Sequence, residues 1–531
     1  MQAFSRKVLS CDKKTGASAV LRALRVSVVV FLCCTCITPL SAQGGKKINL
    51  RHADKLKGSK EAKTQRLIGH VEFEHQGAVM YCDSAYLYNE TNSLEAFGHV
   101  HIQHGDSLHM YGETLKYDGN ERKAELFKNI SMSDGDMILV TDYLVYDLKN
   151  KVASYNTGGT ITSKGNTLKS KLGYYSSESR TLTFRKDVEL FTPEYTMNCD
   201  TLRYVPGTKI AYFMGPTTMW NPDNAMYCED GYYDTNLDRG RFSKKAALVS
   251  NKRALMGDSL FYDRKTRTGM AKGNVTLLDT ARKMIITGDL GIHHEKTEHS
   301  LVTGRAMYTQ IYDKDSLFLH ADTLQAFTRY DTVKGSDPEA PRFDTLRTVY
   351  GYRNVKFFKS DMQGKCDSMI FTSSDSTMRL FGKPVLWNEQ SQLTAEKISI
   401  LMTNDEIKQM LLENTAFIAS QEDSTRYNQI KGRKMTGYFR KSELYRVDVE
   451  GNGQTLYFVK DKNEIIGVNK VDCSKLSIFV AEDEIKKITF FNKPDATLYP
   501  PIDLSPREAL LKDFRWRGKE RPAKKADIFV E

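Results

Sequence analysis

The strongest constraint on the fold is a tyrosine that returns every 29 residues. Seven tyrosines keep this spacing in succession: Tyr88, Tyr117, Tyr146, Tyr175, Tyr204, Tyr233 and Tyr262. Because only 27 of the 531 residues are tyrosine, chance does not produce such a series. A fixed period of about 20–50 residues is typical of arrays of stacked structural units.

The residues around each tyrosine predict a short β-strand. A leucine often stands two positions before the tyrosine, a carboxylate four positions before it, and an aspartate directly after it, as in GDSLFYD from Gly257 to Asp263. Side chains of a strand alternate between its faces, so the leucine and the tyrosine share one face. A second strand follows about a dozen residues later, as in Met270–Leu278. Each unit is predicted to hold two or three strands.

The repeat divides the chain into segments. Residues 43–330 are predicted to be a regular β repeat region, 331–348 a polar insertion loop, and 349–500 a series of weaker β repeats. One unit cannot bury its apolar face alone, so neighbouring units must stack. In residues 501–531, Ser505, Pro506 and Glu508 predict a capped short helix, followed by a basic tail that covers the open end of the array.

The first 42 residues are predicted to be a secretory signal peptide. A basic segment precedes the apolar run Val26–Thr38, and cleavage is expected after Ala42. The apolar run is shorter than the about 20 residues of a membrane-spanning helix, which makes a retained anchor the less favoured alternative. Loss of six Lys/Arg and one Asp leaves 71 basic and 65 acidic residues, a net charge of +6. That charge suits an anionic partner, and export argues against nucleic acid.

Five of the nine cysteines lie beyond residue 42, and an odd number argues against a full disulfide framework. Cys199 and Cys228 occupy equivalent positions in adjacent units. They are either bridged or small buried residues of the core, and the second interpretation is favoured. His99 and His101 share a strand face and are a candidate metal pair, but a solvated face is the favoured interpretation. No metal or cofactor is therefore expected.

An enzyme is not predicted. The carboxylates recur once per unit, whereas a catalytic pair needs a unique constellation. No P-loop, nucleophile elbow or HExxH motif is present. Two alternatives stay open: a right-handed β-helix polysaccharide lyase or hydrolase, whose coils have a similar length, and a repetitive surface adhesin.

Several segments resemble the OstA-like (LptA) family of lipopolysaccharide-transport proteins. They are GDSLFYD (257–263) with GMAKGNVTL (269–277), GETLKYD (112–118), and CDSAYLYNETNSLEAFGHVHI (82–102). The ending FRWRGKERP with DIF is similar to that of long OstA-like proteins of Bacteroidetes-type bacteria. The resemblance implies an all-β fold, an elongated open β-jellyroll (β-taco) whose two sheets face each other across an apolar groove.

The same resemblance implies a function in the periplasm. A protein of this family shields the acyl chains of lipopolysaccharide or lipooligosaccharide and contacts inner- and outer-membrane transport components. Docking at the outer membrane and end-to-end self-association of chains are left open by the sequence.

The candidate lipid-binding residues are the recurring leucines and tyrosines of the predicted inner face. They are Leu115, Tyr117, Leu144, Tyr146, Leu202, Tyr204, Leu260 and Tyr262. The alternative is that these side chains only pack the two sheets together.

The predicted signal peptide defines the start of the mature chain. We expect the exported protein to begin at Gln43, because the small residues Ser41 and Ala42 precede that position. N-terminal sequencing of the protein recovered after export tests this. A start at Met1 would instead indicate a retained anchor.

Overall fold

The computed structural model describes residues 47–58, 63–250, 252–313, 315–332, 343–403, 406–461, 464–481, 484–500, 505 and 507–530. The predicted signal peptide lies outside these residues. All of them belong to one structural unit that spans residues 46–531.

Within the described residues, 34 strands form one continuous antiparallel sheet. The first seventeen are β1 (Asn49–His52), β2 (Lys55–Lys57), β3 (Thr64–His75), β4 (Ala78–Tyr88), β5 (Ser93–His104), β6 (Leu108–Asp118), β7 (Lys123–Asp134), β8 (Met137–Asp147), β9 (Val152–Tyr155), β10 (Gly159–Ser163), β11 (Asn166–Ser170), β12 (Leu172–Ser176), β13 (Leu182–Phe191), β14 (Thr196–Val205), β15 (Ile210–Trp220), β16 (Asn224–Asp234) and β17 (Arg239–Ser250). The others are β18 (Arg253–Asp263), β19 (Thr268–Asp279), β20 (Met284–His294), β21 (His299–Ile311), β22 (Ser316–Thr332), β23 (Phe343–Phe358), β24 (Gln363–Thr372), β25 (Thr377–Phe381), β26 (Val385–Asn388), β27 (Ser391–Thr394), β28 (Lys397–Thr403), β29 (Glu406–Gln421), β30 (Tyr427–Arg440), β31 (Glu443–Asp461), β32 (Glu464–Ala481), β33 (Glu484–Phe491) and β34 (Asp495–Tyr499).

The predicted all-β fold is confirmed. A 29-residue unit is a pair of strands joined by a hairpin turn, such as β6 with β7, and most long strands pair with the next one along the chain. Where a long strand is divided into two short ones, the pairing skips a strand, as in β8 with β10 and β9 with β12. The helices among the described residues are three short 3₁₀ segments, Glu295–Thr297, Gly518–Glu520 and Lys525–Phe529. Among these residues no helix has the length and apolar character that spanning a membrane requires. The antiparallel pairing also excludes a parallel β-helix for this part of the chain.

A two-residue bulge interrupts alternate long strands near their middle, and at Gly382–Lys383 it separates two short strands. In β5 the bulge is Gly98–His99, whose φ angles are +76° and +42°, in the left-handed region. The pairing of β5 with β4 and with β6 shifts register at this point, because one residue of each neighbouring strand stands opposite the two bulge residues. Equivalent pairs are Gly69–His70, Lys128–Asn129, Lys186–Asp187, Lys244–Lys245, Gly273–Asn274, Gly304–Arg305, Arg353–Asn354, Gly382–Lys383, Asn414–Thr415 and Gly451–Asn452. Such bulges bend the strand and increase its twist.

The recurring carboxylates lie opposite these bulges. Asp83 is 2.8 Å from Nδ1 of His99, and the amide of Asn274 donates to Asp258 at 3.2 Å. A Cβ atom at position 98 would lie 2.3 Å from Asp83 Oδ2, which explains the glycine. These carboxylates lie at mid-strand, where they stabilise the bend.

The bends fold the sheet into two facing halves. Half A contains the hairpin turns β4–β5 and β6–β7 and the equivalent turns of later units. Half B contains the turns β3–β4 and β5–β6 and the equivalent turns of later units. His75, at the half B end of β3, lies 2.5 Å from the hydroxyl of Tyr117, at the half A end of β6. His104 of β5 and Tyr146 of β8 repeat this contact at 2.6 Å. The two ends of the strands therefore meet across the fold, offset by three strands, as in the predicted jellyroll.

The core lies between the two halves. One cluster of buried apolar residues extends from Ile48 to Val275, and a second one extends from Ala306 to Ile478. Residues 343–348, predicted to belong to the polar insertion loop, lie in β23.

The predicted C-terminal helix is wrong. Ser505 and Glu508 make the capping contacts, with Ser505 N donating to Glu508 Oε2 at 3.0 Å, but only a turn follows at 507–510. Residues 507–530, here called the strap, instead cross the outer face of half B. The side chain of Gln429 is hydrogen-bonded to Ala509 O and Leu511 N, and that of Gln392 to Arg515 O and Arg517 N.

The strap covers a separate apolar strip rather than the end of the array. Leu511 packs in a third buried cluster with Phe417, Leu456 and Phe458. This strip faces away from the inner core, because Gln392 and Ala419 alternate along their strands with Leu393 and Ile418, which pack against the inner core. Burial of the strip and of the glutamine amides outweighs the weak local preference for a helix.

The strap should loosen when its glutamine anchors are removed. Gln429→Leu leaves the Leu511 amide without its buried acceptor, at a cost of about 1–3 kcal/mol. We expect hydrogen exchange of the strap amides to quicken by about tenfold or more, while amides of β6–β8 keep their rates. The control is Gln103→Leu, which alters an exposed glutamine that donates to Gly105 O at 3.3 Å. Unchanged exchange in the strap of the Gln429 variant would contradict this account.

Candidate functional site

The recurring tyrosines line the inner face of half A. Along the sheet, Tyr117 pairs with Ala124, which pairs with Tyr146, which pairs with Ala153. Small residues thus separate the rings. All eight predicted residues are on this face. Leu115, Tyr117, Leu144, Tyr146, Leu202 and Leu260 are buried, and Tyr204 and Tyr262 are half-buried.

The first tyrosine of the series, Tyr88, departs from the row. Leu87 pairs with Leu94, which pairs with Tyr117, so Leu87 occupies the inward position in β4. The Tyr88 hydroxyl donates to Glu95 at 3.4 Å. The interval of 29 residues is kept in the sequence, but the strand is displaced by one residue, which moves the side chain to the other face.

Hydrogen bonds close the mouth between the two halves in the N-terminal section. Tyr117 bonds to His75, Tyr146 to His104, and the Tyr175 hydroxyl donates to Asp134. These three half B partners recur at intervals of 29 and 30 residues. That periodicity was visible in the sequence and was missed.

Burial favours the uncharged form of three of the closing residues. Burial raises the pKa of the Tyr117 and Tyr146 hydroxyls and, with a smaller effect of Lys151, lowers the pKa of His104. Tyr117 and Tyr146 are 2% and 0% exposed. In this section the tyrosines pack the two halves together, and a ligand does not reach them in the closed structure.

From β14 to β21 the inner face opens toward its edges. Residues near the bends stay buried, among them Leu202, Phe213 and Leu260. Most apolar residues nearer the edges are half-buried. On half B these are Met219, Met226, Leu248, Leu255, Leu277 and Ile286, and on half A they are Tyr204, Tyr233 and Tyr262. This section, Thr196–Ile311, is here called the cleft.

Contacts across the mouth of the cleft differ from those of the closed section. Glu194, in the β13–β14 turn, pairs with Arg264, in the β18–β19 turn, at 3.3 Å, and their side chains are 67% and 57% exposed. The Tyr262 hydroxyl donates to Glu295 at 3.1 Å, which lies on its own half. An exposed ion pair contributes only about 0–1 kcal/mol, so this part of the mouth opens at low cost.

The inward apolar row of half B continues from the closed section into the cleft. Leu190 lies in one row with Met197 and Met219, and it occupies the position that Met132 occupies in β7. The residue equivalent to Asp134 in β19 is Asp279, since each stands five residues after the bulge of its strand. Asp279 is hydrogen-bonded to arginines of its own half rather than to a tyrosine across the mouth.

Cys199 and Cys228 are free and buried. Cys199 pairs with Thr217, which pairs with Cys228, so one strand separates them. Two strand spacings of about 4.8 Å exceed the Cα separation of a disulfide. Burial raises the pKa of Cys199 to about 12 and that of Cys228 to about 11, which makes both thiols unreactive.

The candidate metal pair has separate surroundings. His99 contacts Asp83 at the bend, whereas His101 is hydrogen-bonded to His109 at 3.1 Å and stacks on Tyr111. Within the described ranges, no three His, Cys, Asp or Glu side chains are grouped so that they could hold a metal ion.

Residues 45–200 match the sequence model of the OstA-like protein family. This OstA-like domain comprises strands β1–β13 and the first half of β14. The family is a lipopolysaccharide-transport and binding family. No curated protein has detectable sequence similarity to the chain.

The cross-mouth hydrogen bonds should contribute to stability. Tyr146→Phe removes the buried partner of His104, and we expect the free energy of unfolding to fall by about 1–2 kcal/mol in urea titrations. The control Tyr88→Phe removes a hydroxyl with the same sequence spacing but no cross-mouth contact. We expect it to change the free energy by less than about 0.5 kcal/mol. Equal losses in the two variants would mean that the contact across the mouth does not stabilise the fold.

Proposed function

We propose that this protein, which carries an OstA-like domain, is exported to the periplasm and shields the acyl chains of lipopolysaccharide or lipooligosaccharide during their transport to the outer membrane. The observation that carries the proposal is the cleft. Its inner face is apolar and half-exposed, and its mouth is spanned by an exposed ion pair.

The cleft suits an acyl chain energetically. Each methylene group removed from water contributes roughly 0.8 kcal/mol, so a chain of about 12–14 carbons gains a large part of its transfer free energy even when it is incompletely covered. Equivalent apolar positions recur on successive strands, about 4.8 Å apart. A lipid therefore meets similar surroundings as it moves along the cleft, without one deep binding site that would hold it.

The proposed role is not enzymatic. The recurring carboxylates are engaged at the bends, as with Asp83 and His99 or Asp258 and Asn274. The partners in this proposal are the glycolipid and transport components of the inner and outer membranes. Docking at the outer membrane belongs to the same proposal.

Photo-crosslinking in living cells tests the proposal. A photoreactive phenylalanine analogue replaces Tyr204, Tyr262 or Tyr117 one at a time, with Lys116 and Arg203 as outward, exposed controls. We expect lipopolysaccharide adducts at positions 204 and 262. We expect few or none at 117, where the mouth is closed, and none at the controls.

The pattern of adducts decides between interpretations. Absence of adducts at 204 and 262 in a folded, exported protein would contradict lipid transport through the cleft. Adducts at the outward controls alone would place the lipid on the opposite face. Adducts at 117 as strong as those at 262 would mean that the closed section opens during transport.

A further inference from the structure

A two-stranded extension projects from the half A edge at the end of the cleft. β22 pairs with β21 only as far as Phe327, and β23 pairs with β24 only from Thr348 onward. Residues 328–332 and 343–347 pair with each other beyond these limits. The extension is therefore longer than the strands on either side of it.

The extension reaches the opposite edge. The β19 edge ends at Asp279 on half B, and the extension lengthens the edge of half A on the other side of the mouth. Arg347, on the extension, is influenced by this edge: burial, and then the positive charges of Arg282 and Arg253, lower its pKa.

Two guanidinium groups therefore flank one carboxylate, and a third, that of Arg347, lies near enough to be influenced by their charge. Asp279 is 2% exposed, and its Oδ2 atom accepts from Arg253 Nε at 3.1 Å and from Arg282 Nη1 at 3.2 Å. The side chains of Arg253 and Arg282 remain 59% and 38% exposed. Among the described side chains, these three positive charges face one negative charge, a net charge of +2. The adjacent Lys283 is compensated by Asp313 at 2.8 Å.

We propose that Arg253, Arg282 and Arg347 bind phosphate at the mouth of the cleft. A guanidinium group offers paired N–H donors that match phosphate oxygens, and an anion relieves the repulsion among the three groups. The inference rests on the proposed function: the acyl chains occupy the cleft, and the phosphates of the glycolipid headgroup lie at its mouth. Free phosphate and pyrophosphate share this chemistry.

The test compares three probes on the mature chain: diphosphorylated lipid A, lipid A with the same acyl chains but no phosphate, and inorganic pyrophosphate. We expect the wild type to bind the phosphorylated lipid about tenfold or more tightly than the dephosphorylated one. In Arg282→Gln/Arg347→Gln this preference should fall to about twofold or less, with the affinity for dephosphorylated lipid unchanged.

Arg239→Gln is the matched control. Arg239 Nε donates to the buried Asp263 at 2.8 Å, which repeats the Arg253–Asp279 pair on the half A edge. We expect this variant to keep the wild-type preference. An equal loss in this variant would overturn the proposal, because net charge rather than the cluster would then set the preference. Arg347→Gln alone leaves the Asp279 ion pairs intact and should lose part of the preference for phosphorylated lipid. This single variant therefore tests the site even if the double variant misfolds.

The probes separate the two proposals. If both lipids bind equally and pyrophosphate does not bind, the phosphate site is wrong while lipid binding by the cleft stands. If neither lipid binds, the proposed function fails, and binding of pyrophosphate alone then tests the phosphate site. Pyrophosphate binding that is lost in the double variant would then support the site with a soluble phosphate as its ligand, and no binding by the wild type would overturn it.

Discussion

The fold depends on one local interaction, the left-handed residue pair that stands opposite a carboxylate in the middle of the strands. Without the bend, strands of ten to twelve residues with alternating side chains would form a flat, one-sided sheet that leaves its apolar face in water. With the bend at Gly98–His99 and its equivalents, each strand contributes to both halves and the apolar face folds onto itself. The polar contact between His99 and Asp83 repeats in varied forms, because Asn, Lys or Arg supplies the donor elsewhere.

The same unit produces a closed section and an open one. In both, leucine lies near the bend and tyrosine near the edge of half A. The contacts of the half B edge differ, since His75, His104 and Asp134 are hydrogen-bonded to tyrosines across the mouth. The equivalent residue of β19, Asp279, is bonded instead to Arg253 and Arg282 of its own half. The bends hold the two halves together in both sections.

Charge is concentrated where the apolar surface ends. The Glu194–Arg264 pair and the arginines around Asp279 lie along the mouth of the cleft. Further along the chain, the outer face of half B is covered by the strap through Gln392 and Gln429. Apolar surface is thus covered by the chain itself on the outer face and left half-exposed on the inner face of the cleft, which is the arrangement that lipid transport would use.

The sequence by itself determined the all-β class, the 29-residue unit of paired strands and the inward direction of six of the seven tyrosines. These features follow from side-chain alternation and periodicity, which act over a few residues. Only the tertiary structure decided that the carboxylates lie at bends, that Tyr117 is enclosed while Tyr262 is half-exposed, and that Tyr88 lies outside the row. It also replaced the expected helix with the strap and brought Arg347 to Arg253. The physical reason is distance along the chain. The partners of Tyr117 and Tyr146 are 42 residues away and those of the strap 80 or more, so their identity depends on how the bends fold the sheet.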